Sequence, residues 1–180
     1  MALGATIYRV HLNLADMDRD YYAEHTLRLA RHPSETEERL MVRLLAFALH
    51  ADERLEFTRG LCVDDEPELW LKDDSGAIEL WIEVGLPDEK RLRKASGRAG
   101  QVVLYSYGGH AAQLWWKRQQ TTLTRHDNLR VVEVPESSST ALADIAKRNM
   151  RLQVTIQDGH VWLDNGEQSL EIIPEVRYGA

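Results

Sequence analysis

Two glutamates, Glu68 and Glu83, are the residues whose type and spacing point most directly to metal chemistry. Two carboxylates aimed at one point can bind Mg²⁺ or Mn²⁺, which keeps several waters that it can activate or share with a phosphate. Without an ion the two charges repel each other, and partial burial raises the pKa of one of them. The alternative interpretation is an exposed hairpin face that carries solvated charges and tryptophans.

A predicted β-hairpin must position this pair. Two segments, 68–72 and 77–84, alternate apolar and polar side chains on either side of an Asp-Asp-Ser-Gly turn sequence. The expected register places Glu68 opposite Trp81. In that register Glu68 and Glu83 are diagonal neighbours on one face, with Cα atoms about 7–8 Å apart.

A third carboxylate and a lysine could complete such a site. Glu38 lies beside the apolar stripe of a helix predicted over 35–51, where it could point into a cleft or simply favour the helix dipole. Phosphodiester cleavage requires a cation near the developing negative charge. The next position on the hairpin face is Gly85, which has no side chain. Lys90 and Lys94, one turn apart on the following helix, could supply the ammonium group or pair with acidic neighbours.

Charge is distributed unevenly along the 180 residues. The formal net charge is -7, yet residues 86–130 contain nine basic and three acidic residues. Such a segment could contact nucleic-acid phosphates or form a solvated surface. The candidates for phosphate contacts are Arg91, Arg93, Arg98, Lys117 and Arg118, and the candidates for stacking on a base are Trp115 and Trp116.

Composition favours one soluble, cytoplasmic domain. The chain is 43% hydrophobic, and Arg43 interrupts its longest apolar stretch, which is far shorter than the ~20 residues that span a bilayer. The single Cys62 excludes an intramolecular disulfide. A phosphate-binding loop, a nucleophile elbow and a pair of histidines with metal-ligand spacing are all missing from the sequence. The oligomeric state is left open.

The periodicity of the chain predicts a mixed α/β fold. Its hairpins and its strand-helix-strand crossover are typical of that class. Helices are expected at 35–51, 88–99, 111–119 and 141–149, with a short one from Asp16 through Leu29. A Ser-Ser-Ser linker is expected at 137–139. Strands are expected at 6–14, 68–72, 77–84, 101–107, 129–134, 152–157, 161–163 and 170–173.

Several runs of residues resemble the YaeQ family of bacterial proteins over essentially the whole chain. They include His32-Pro33-Ser34-Glu35-Thr36, Ala51-Asp52-Glu53-Arg54-Leu55, Asp65-Glu66-Pro67-Glu68, Leu80-Trp81-Ile82-Glu83 and Thr155-Ile156-Gln157-Asp158-Gly159. The resemblance implies a variant of the PD-(D/E)xK, restriction-endonuclease-like fold in a single domain over 1–180. Its mixed-sheet core, about 34–134, would be flanked by helices and packed against an antiparallel sheet from terminal strands 5–14 and 150–174.

The same resemblance implies roles for individual residues. Pro67-Glu68 resembles the "PD" element, Glu83 the second acidic residue, and Glu38 the helix carboxylate of such folds, whereas Gly85 departs from the expected lysine. One hypothesis is therefore a Mg²⁺- or Mn²⁺-dependent nuclease in which Glu68 and Glu83 bind the metal, Glu38 orients a water, and Lys94 or Lys90 stabilises charge. The other is a non-catalytic module that binds DNA, RNA or a transcription-related protein.

Overall fold

The computed structural model describes residues 4–59 and 65–179, and within them the chain forms eleven strands and four helices. In chain order these are β1 (Thr6–Asp16), β2 (Tyr21–Arg31), α1 (Glu37–Leu49), β3 (Leu55–Phe57), β4 (Leu69–Lys72), β5 (Ile78–Val84), α2 (Glu89–Arg98), β6 (Ala99–Ser106), α3 (His110–Leu123), β7 (Leu129–Glu133), α4 (Glu136–Asp144), β8 (Asn149–Gln157), β9 (His160–Asp164), β10 (Ser169–Ile172) and β11 (Glu175–Tyr178). Cys62 lies outside the described residues. In the part of the chain that is described, no helix has the length and apolar character needed to cross a membrane.

The chain divides into two compact units, one made of residues up to 49 with 137–174 and the other of residues 50–136 with those from 175 onward. Each contains one mixed sheet. The predicted mixed α/β class is confirmed. The terminal segments form a sheet as predicted, but this sheet is mixed rather than antiparallel, because β1 and β8 run parallel. The prediction of a single domain with a nuclease-like core at 34–134 stays a prediction.

The first unit is built on a five-stranded sheet in the order β10-β9-β8-β1-β2. The β1–β8 pair is parallel and the other pairs are antiparallel. Alternate residues of β1 are buried, and Tyr8 on this inner face donates a 2.9 Å hydrogen bond to Glu37 of α1. His25 of β2 packs edge-on against Phe47 of the same helix at 5.2 Å. Helix α1 therefore covers the inner face and leaves the other face open.

The second unit is built on a six-stranded sheet in the order β11-β7-β6-β5-β4-β3. Strands β5, β6 and β7 are parallel, with α2 and α3 as the crossover connections between them. A buried cluster includes Leu92 of α2, Leu123 of α3, and Trp81, Val102 and Leu104 of the sheet. Both helices therefore pack on the same face of this sheet, which is the face of Trp81.

One predicted helix is wrong. Residues 21–29, predicted as part of a short helix from Asp16 through Leu29, belong to strand β2, which is paired with β1 from Asp16↔Tyr21 to Thr6↔Arg31. The aspartates near position 18 resemble a helix N-terminus, but they form the hairpin turn, where Asp20 has φ 54°. Exposure along β2 alternates over its first eight residues, which is the period of a strand.

The C-terminal half holds smaller differences. The triple-serine segment predicted as a linker is part of α4, with Ser138 and Ser139 buried. The helix predicted over 141–149 ends at Asp144, and Asn149 is already the first residue of strand β8. The short strands β3 and β11 were not predicted. The helices expected at 35–51, 88–99 and 111–119 are confirmed with shifted ends.

Candidate functional site

Glu68 lies directly before β4, and the register of that strand brings it closer to Glu83 than the predicted diagonal. Strands β4 and β5 pair Leu69 with Ile82 and Trp70 with Trp81, and the Glu68 amide donates to the carbonyl of Ile82 at 2.9 Å. The predicted register was therefore wrong by two residues. Such a shift keeps every side chain on its predicted face, because the side chains of a strand alternate with period two.

The shift has two parts of one residue each: Lys72 pairs with Ile78 instead of Ala77, and a bulge between Leu71 and Lys72 adds the second residue. The connection is also wider than a two-residue turn. Asp73 accepts hydrogen bonds from the amides of Ser75 and Ala77 through one carboxylate oxygen, and its own amide donates to the carbonyl of Ala77. Sequence alone gives no clear sign of where such an irregularity falls, so the alignment of the two carboxylates could not be fixed in advance.

Both carboxylates of this acidic pair are buried, with Glu68 4% and Glu83 3% exposed. Both oxygens of Glu83 have hydrogen-bond donors. Its Oε1 accepts from the indole Nε1 of Trp81 at 2.8 Å and lies 3.0 Å from a terminal guanidinium nitrogen of Arg91. Its Oε2 accepts from Nε of Arg91 at 3.0 Å. Arg91 thus contacts Glu83 through two of its nitrogens. Such a bidentate contact is the strong, orientation-specific form of an ion pair between arginine and a carboxylate.

Burial raises the pKa of the Glu83 carboxyl above its ordinary value. Desolvation is the largest cause; Arg91 and the Trp81 indole act in the opposite direction, and the neighbouring Glu68 charge adds to the rise. The electrostatic influence of Glu68 agrees with its position next to Leu69, which pairs with Ile82, the neighbour of Glu83. Glu83 is therefore a carboxylate whose ion pair offsets only part of the cost of removing it from water.

Helix α2 supplies the cations around the acidic pair. Asp88 caps the helix by accepting from the Arg91 amide at 2.8 Å, which places Arg91 in the first turn, beside the end of β5. A terminal nitrogen of Arg91 also donates to the carbonyl of Glu66 at 2.7 Å. One turn and two turns further on, Lys94 contacts the Asp65 carboxylate at 3.0 Å and Arg98 donates to the Asp65 carbonyl at 2.7 Å. Residues 65–66 are thus fastened to α2 by three cations.

The predicted lysines are found elsewhere than at Glu83. Lys94 pairs with Asp65 in a contact whose two side chains are well exposed, and it lowers the Asp65 pKa. Lys90 is exposed on α2. Gly85 has φ +112°, a conformation that side chains rarely adopt. Arg91 contacts Glu83, whereas the sequence predicts that Arg91 contacts a nucleic-acid phosphate. The feature of the sequence that indicates this contact is the position of Arg91 three residues after the N-cap Asp88, in the first turn of α2.

Glu38 belongs to the first unit, whereas the acidic pair belongs to the second. It is partly buried and accepts a long hydrogen bond, 3.5 Å, from the hydroxyl of Ser139. Its neighbour Glu35 is the buried carboxylate of this helix start and bridges Arg39 at 2.6 Å and Arg43 at 2.7 Å. The proposed role of Glu38 in orienting a water stays a prediction.

The candidate nucleic-acid residues have mixed surroundings. Lys117 and Arg118 are exposed on α3, while Arg93 pairs with Glu89 at 3.3 Å. Trp115 donates its indole N–H to the Pro87 carbonyl at 2.8 Å, and it packs with Trp116 against the buried cluster of this unit. Both tryptophans are only partly buried and tilted against each other at 6.4 Å. The basic surface of the second unit is therefore formed by α2 and α3.

Comparison with known proteins gives one family. A family model described as YaeQ protein matches residues 1–174. The "Uncharacterized protein YaeQ" of Escherichia coli strain K12 is 51% identical over 172 residues, which cover 96% of this chain and 95% of that protein. A crystal structure of YaeQ protein from Xanthomonas axonopodis pv. citri shares 51% identity, with TM-score 0.95 over 98% of this chain and 99% of that one. For the YaeQ protein of Pseudomonas syringae the identity is 36%, with TM-score 0.93 over 98% and 97%.

Proposed function

The chain belongs to the YaeQ family, and from that premise we propose that it is a non-catalytic nucleic-acid-binding protein of nuclease-like fold that acts in the cytoplasm. One observation carries the non-catalytic part of this proposal. The carboxylate of Glu83, which a nuclease of this kind would use to bind its metal, is engaged on both oxygens by Arg91 and Trp81.

A metal ion at Glu83 would have to displace a guanidinium that is itself well held. Arg91 contacts both Glu83 oxygens and the Glu66 carbonyl, so its release would break several charge-assisted hydrogen bonds at once. Across residues 4–59 and 65–179, no group of three or more His, Cys, Asp or Glu side chains is arranged to hold a metal ion. The donors around the acidic pair therefore suit a guanidinium better than Mg²⁺ or Mn²⁺.

The helix surface of the second unit supports the nucleic-acid part of the proposal. Lys90 on α2 and Lys117 and Arg118 on α3 are exposed, and for all three no ion pair is found among the described residues. Cations in this situation contact a phosphate backbone without first giving up an internal partner. Arg93, Lys94 and Arg98 would contribute to the same positive potential despite their internal contacts.

The test is duplex binding measured by fluorescence anisotropy with a short dye-labelled DNA over a series of salt concentrations. Lys117→Glu with Arg118→Glu should weaken binding about tenfold or more and reduce the slope of log Kd against log salt by about two. Arg54→Glu with Lys147→Glu makes the same change of net charge elsewhere and should bind like the wild type. Equal binding by both double variants would refute this surface. No binding by the wild type would instead favour the transcription-related protein partner that the family resemblance implies.

The metal-dependent nuclease remains the second candidate because two buried carboxylates lie near each other, Glu83 on β5 and Glu68 directly before β4. Under this hypothesis Arg91 would leave when metal and substrate arrive. Incubation of DNA and RNA with Mg²⁺ or Mn²⁺ would then give cleavage that Glu83→Gln abolishes and the distant exchange Arg54→Gln preserves. Metal-dependent cleavage of that kind would replace the non-catalytic proposal, whereas equal residual cleavage by both variants would indicate a contaminant.

A further inference from the structure

From the open face of the terminal sheet in the first unit, we infer a second surface, one that binds single-stranded nucleic acid. The face consists of the outward side chains of β2, β1, β8, β9 and β10, and its basic end is marked by Arg9, Arg28 and Arg151; we call it the arginine face. It goes beyond the proposed function, since it uses another unit, other residues and another form of nucleic acid.

The three arginines lie close together by strand register. Arg9 of β1 is the direct cross-strand partner of Arg28 of β2, and Arg151 of β8 is the partner of His11, two residues beyond Arg9 on the same face. All three are exposed, and no ion pair to any of them is found within residues 4–59 and 65–179. Like charges directly opposite each other destabilise a sheet. An anionic ligand would remove that repulsion.

Grooves on the sheet surface lie beside these arginines. One of about 540 Å³ is lined by Arg9, His11, Thr26, Asn149, Met150 and Arg151. It contains two guanidiniums, an amide and a hydroxyl, and no carboxylate. A second groove of about 520 Å³ shares His11 and Arg151 with the first and continues past Gln153 to Asp164. The second groove is also lined by the carboxylate of Glu24, so the groove between Arg9 and Arg151 is the more cationic of the two.

Beyond the arginines, the face changes from charge to groups that recognise bases. The next row across the sheet places Asn13 beside Gln153, two amides that can donate to and accept from base edges. The row after it carries exposed aromatic rings, with Trp162 38% and Tyr22 60% exposed. Trp162 also lies 5.7 Å from the His160 ring. Aromatic rings on an open sheet stack on unpaired bases, which a duplex does not offer.

The carboxylates of the face indicate where the phosphates of a bound strand cannot lie. Glu24, Asp164 and Glu171 lie in the amide and aromatic rows. Glu24 and Asp164 line the second groove, and none of the three lines the groove between Arg9 and Arg151. A polyanion would be repelled there unless its backbone stayed at the arginine end and only its bases extended over the rest. The arrangement therefore favours a short single strand whose phosphates contact Arg9, Arg28 and Arg151 and whose bases reach Gln153 and Trp162.

The experiment measures anisotropy of dye-labelled oligouridylate and oligothymidylate of equal length with the full chain. Arg9→Glu and Arg151→Glu should each weaken binding about tenfold, and Trp162→Ala should weaken it by about the same factor with little change in salt slope. Arg54→Glu, an exposed cation of the other unit that pairs with Asp52 and Glu79, is the charge-matched control and should stay within about twofold of the wild type. Oligodeoxyuridylate of the same length is a third probe; it differs from oligouridylate only in the sugar, so a preference between these two identifies the sugar that is recognised.

Three outcomes overturn the inference: single strands that fail to bind, arginine-face variants that bind like Arg54→Glu, and single-strand binding abolished equally by an excess of unlabelled duplex. Lys117→Glu with Arg118→Glu separates this inference from the proposed function, because that variant should lose duplex binding and retain the oligouridylate affinity. Sedimentation of the wild type checks the competing occupant. A dimer that Arg151→Glu dissociates would make the face an interface between copies and would also overturn the inference.

Discussion

The acidic pair and the arginine face are two clusters of charged residues that differ in burial and in the partners that the fold gives them. Glu83 is 3% exposed, and its two oxygens accept hydrogen bonds from Trp81 and Arg91 and make a further 3.0 Å ion-pair contact with Arg91. Arg9, Arg28 and Arg151 are exposed, and the described residues offer them no ion pair. The hydrogen bonds and ion pairs of the first cluster hold helix α2 and residues 65–66 on the sheet. The charges of the second cluster are free to interact with solvent or a ligand.

This difference shows how to judge whether a charged residue that is conspicuous in a sequence stabilises the fold or binds a ligand. Buried carboxylates are conspicuous in a sequence because they interrupt apolar strands, but burial also obliges the fold to provide a partner for them. Exposed cations in alternate positions of a strand look ordinary, because an amphipathic strand always has a polar face. Removing a member of the acidic pair's network should therefore change stability, whereas removing an arginine from the face should change binding.

The largest stability effect is expected for Arg91→Ala. It leaves Glu83 buried next to Glu68 without its guanidinium and releases the Glu66 carbonyl, so the free energy of unfolding should fall by about 3 kcal/mol. Urea denaturation at neutral pH measures it. The matched control is Arg93→Ala, whose pairing with Glu89 is largely exposed and should be worth less than about 0.5 kcal/mol. Similar losses in the two variants would mean that the Arg91–Glu83 pair is no more important than a surface ion pair.

The pH dependence of stability tests the state of Glu83 directly. Because the pKa of Glu83 is raised in the folded protein, the folded state holds the proton more tightly than the unfolded chain. The contribution of Glu83 to stability is therefore full below its ordinary pKa of 4.5 and is lost as the pH rises through the higher folded value. The difference in unfolding free energy between wild type and Glu83→Gln should thus decrease as the pH rises. A difference that grows with pH would show that Arg91 lowers the pKa instead.

Gly85→Lys tests whether the missing strand lysine alone separates this chain from a nuclease. The position has room for a side chain, but its φ of +112° should make the exchange cost about 1–2 kcal/mol. Gly97→Lys, in open space on α2 with an ordinary backbone angle, should instead gain about 0.5 kcal/mol. We expect neither variant to cleave DNA or RNA with Mn²⁺, because Arg91 still engages Glu83. Metal-dependent cleavage by Gly85→Lys would show that the acidic pair is accessible after all.

The sequence predicted the elements around the acidic pair well, because their signals are local. Asp88 before a run of helix formers marks the start of α2, and alternation marks β4 and β5. The register of the hairpin and the partner of Glu83 depend on a bulge and on the packing of α2 against the sheet. Contacts between distant parts of the chain leave no pattern at fixed spacing in the sequence. The sequence therefore suggests Lys90 or Lys94 as the cation beside Glu83, whereas the structure has Arg91 there.

The sequence does not predict the arginine face, because residues 21–29 of strand β2 are predicted as part of a helix. With residues 21–29 predicted as part of a helix, Arg28 had no defined relation to Arg9, and the cross-strand pair could not be recognised. The parallel pairing of β1 with β8, which brings Arg151 beside His11, joins residues about 140 positions apart. A correct assignment of the β1–β2 hairpin from the alternation Tyr22, Glu24, Thr26, Arg28 would have revealed half of the face.

The smallest effect on stability is expected for Arg9→Gln, and its sign is informative. Arg9 faces Arg28 directly, so removing its charge should relieve a repulsion and raise the unfolding free energy by up to about 0.5 kcal/mol at low salt. The gain should disappear at high salt, where exposed charges are screened, and Arg9→Lys, which keeps the charge, should show none. Urea denaturation at two salt concentrations measures both. A loss of stability in Arg9→Gln would mean that this arginine serves the fold, as Arg91 does, and that the contrast between the two clusters does not hold.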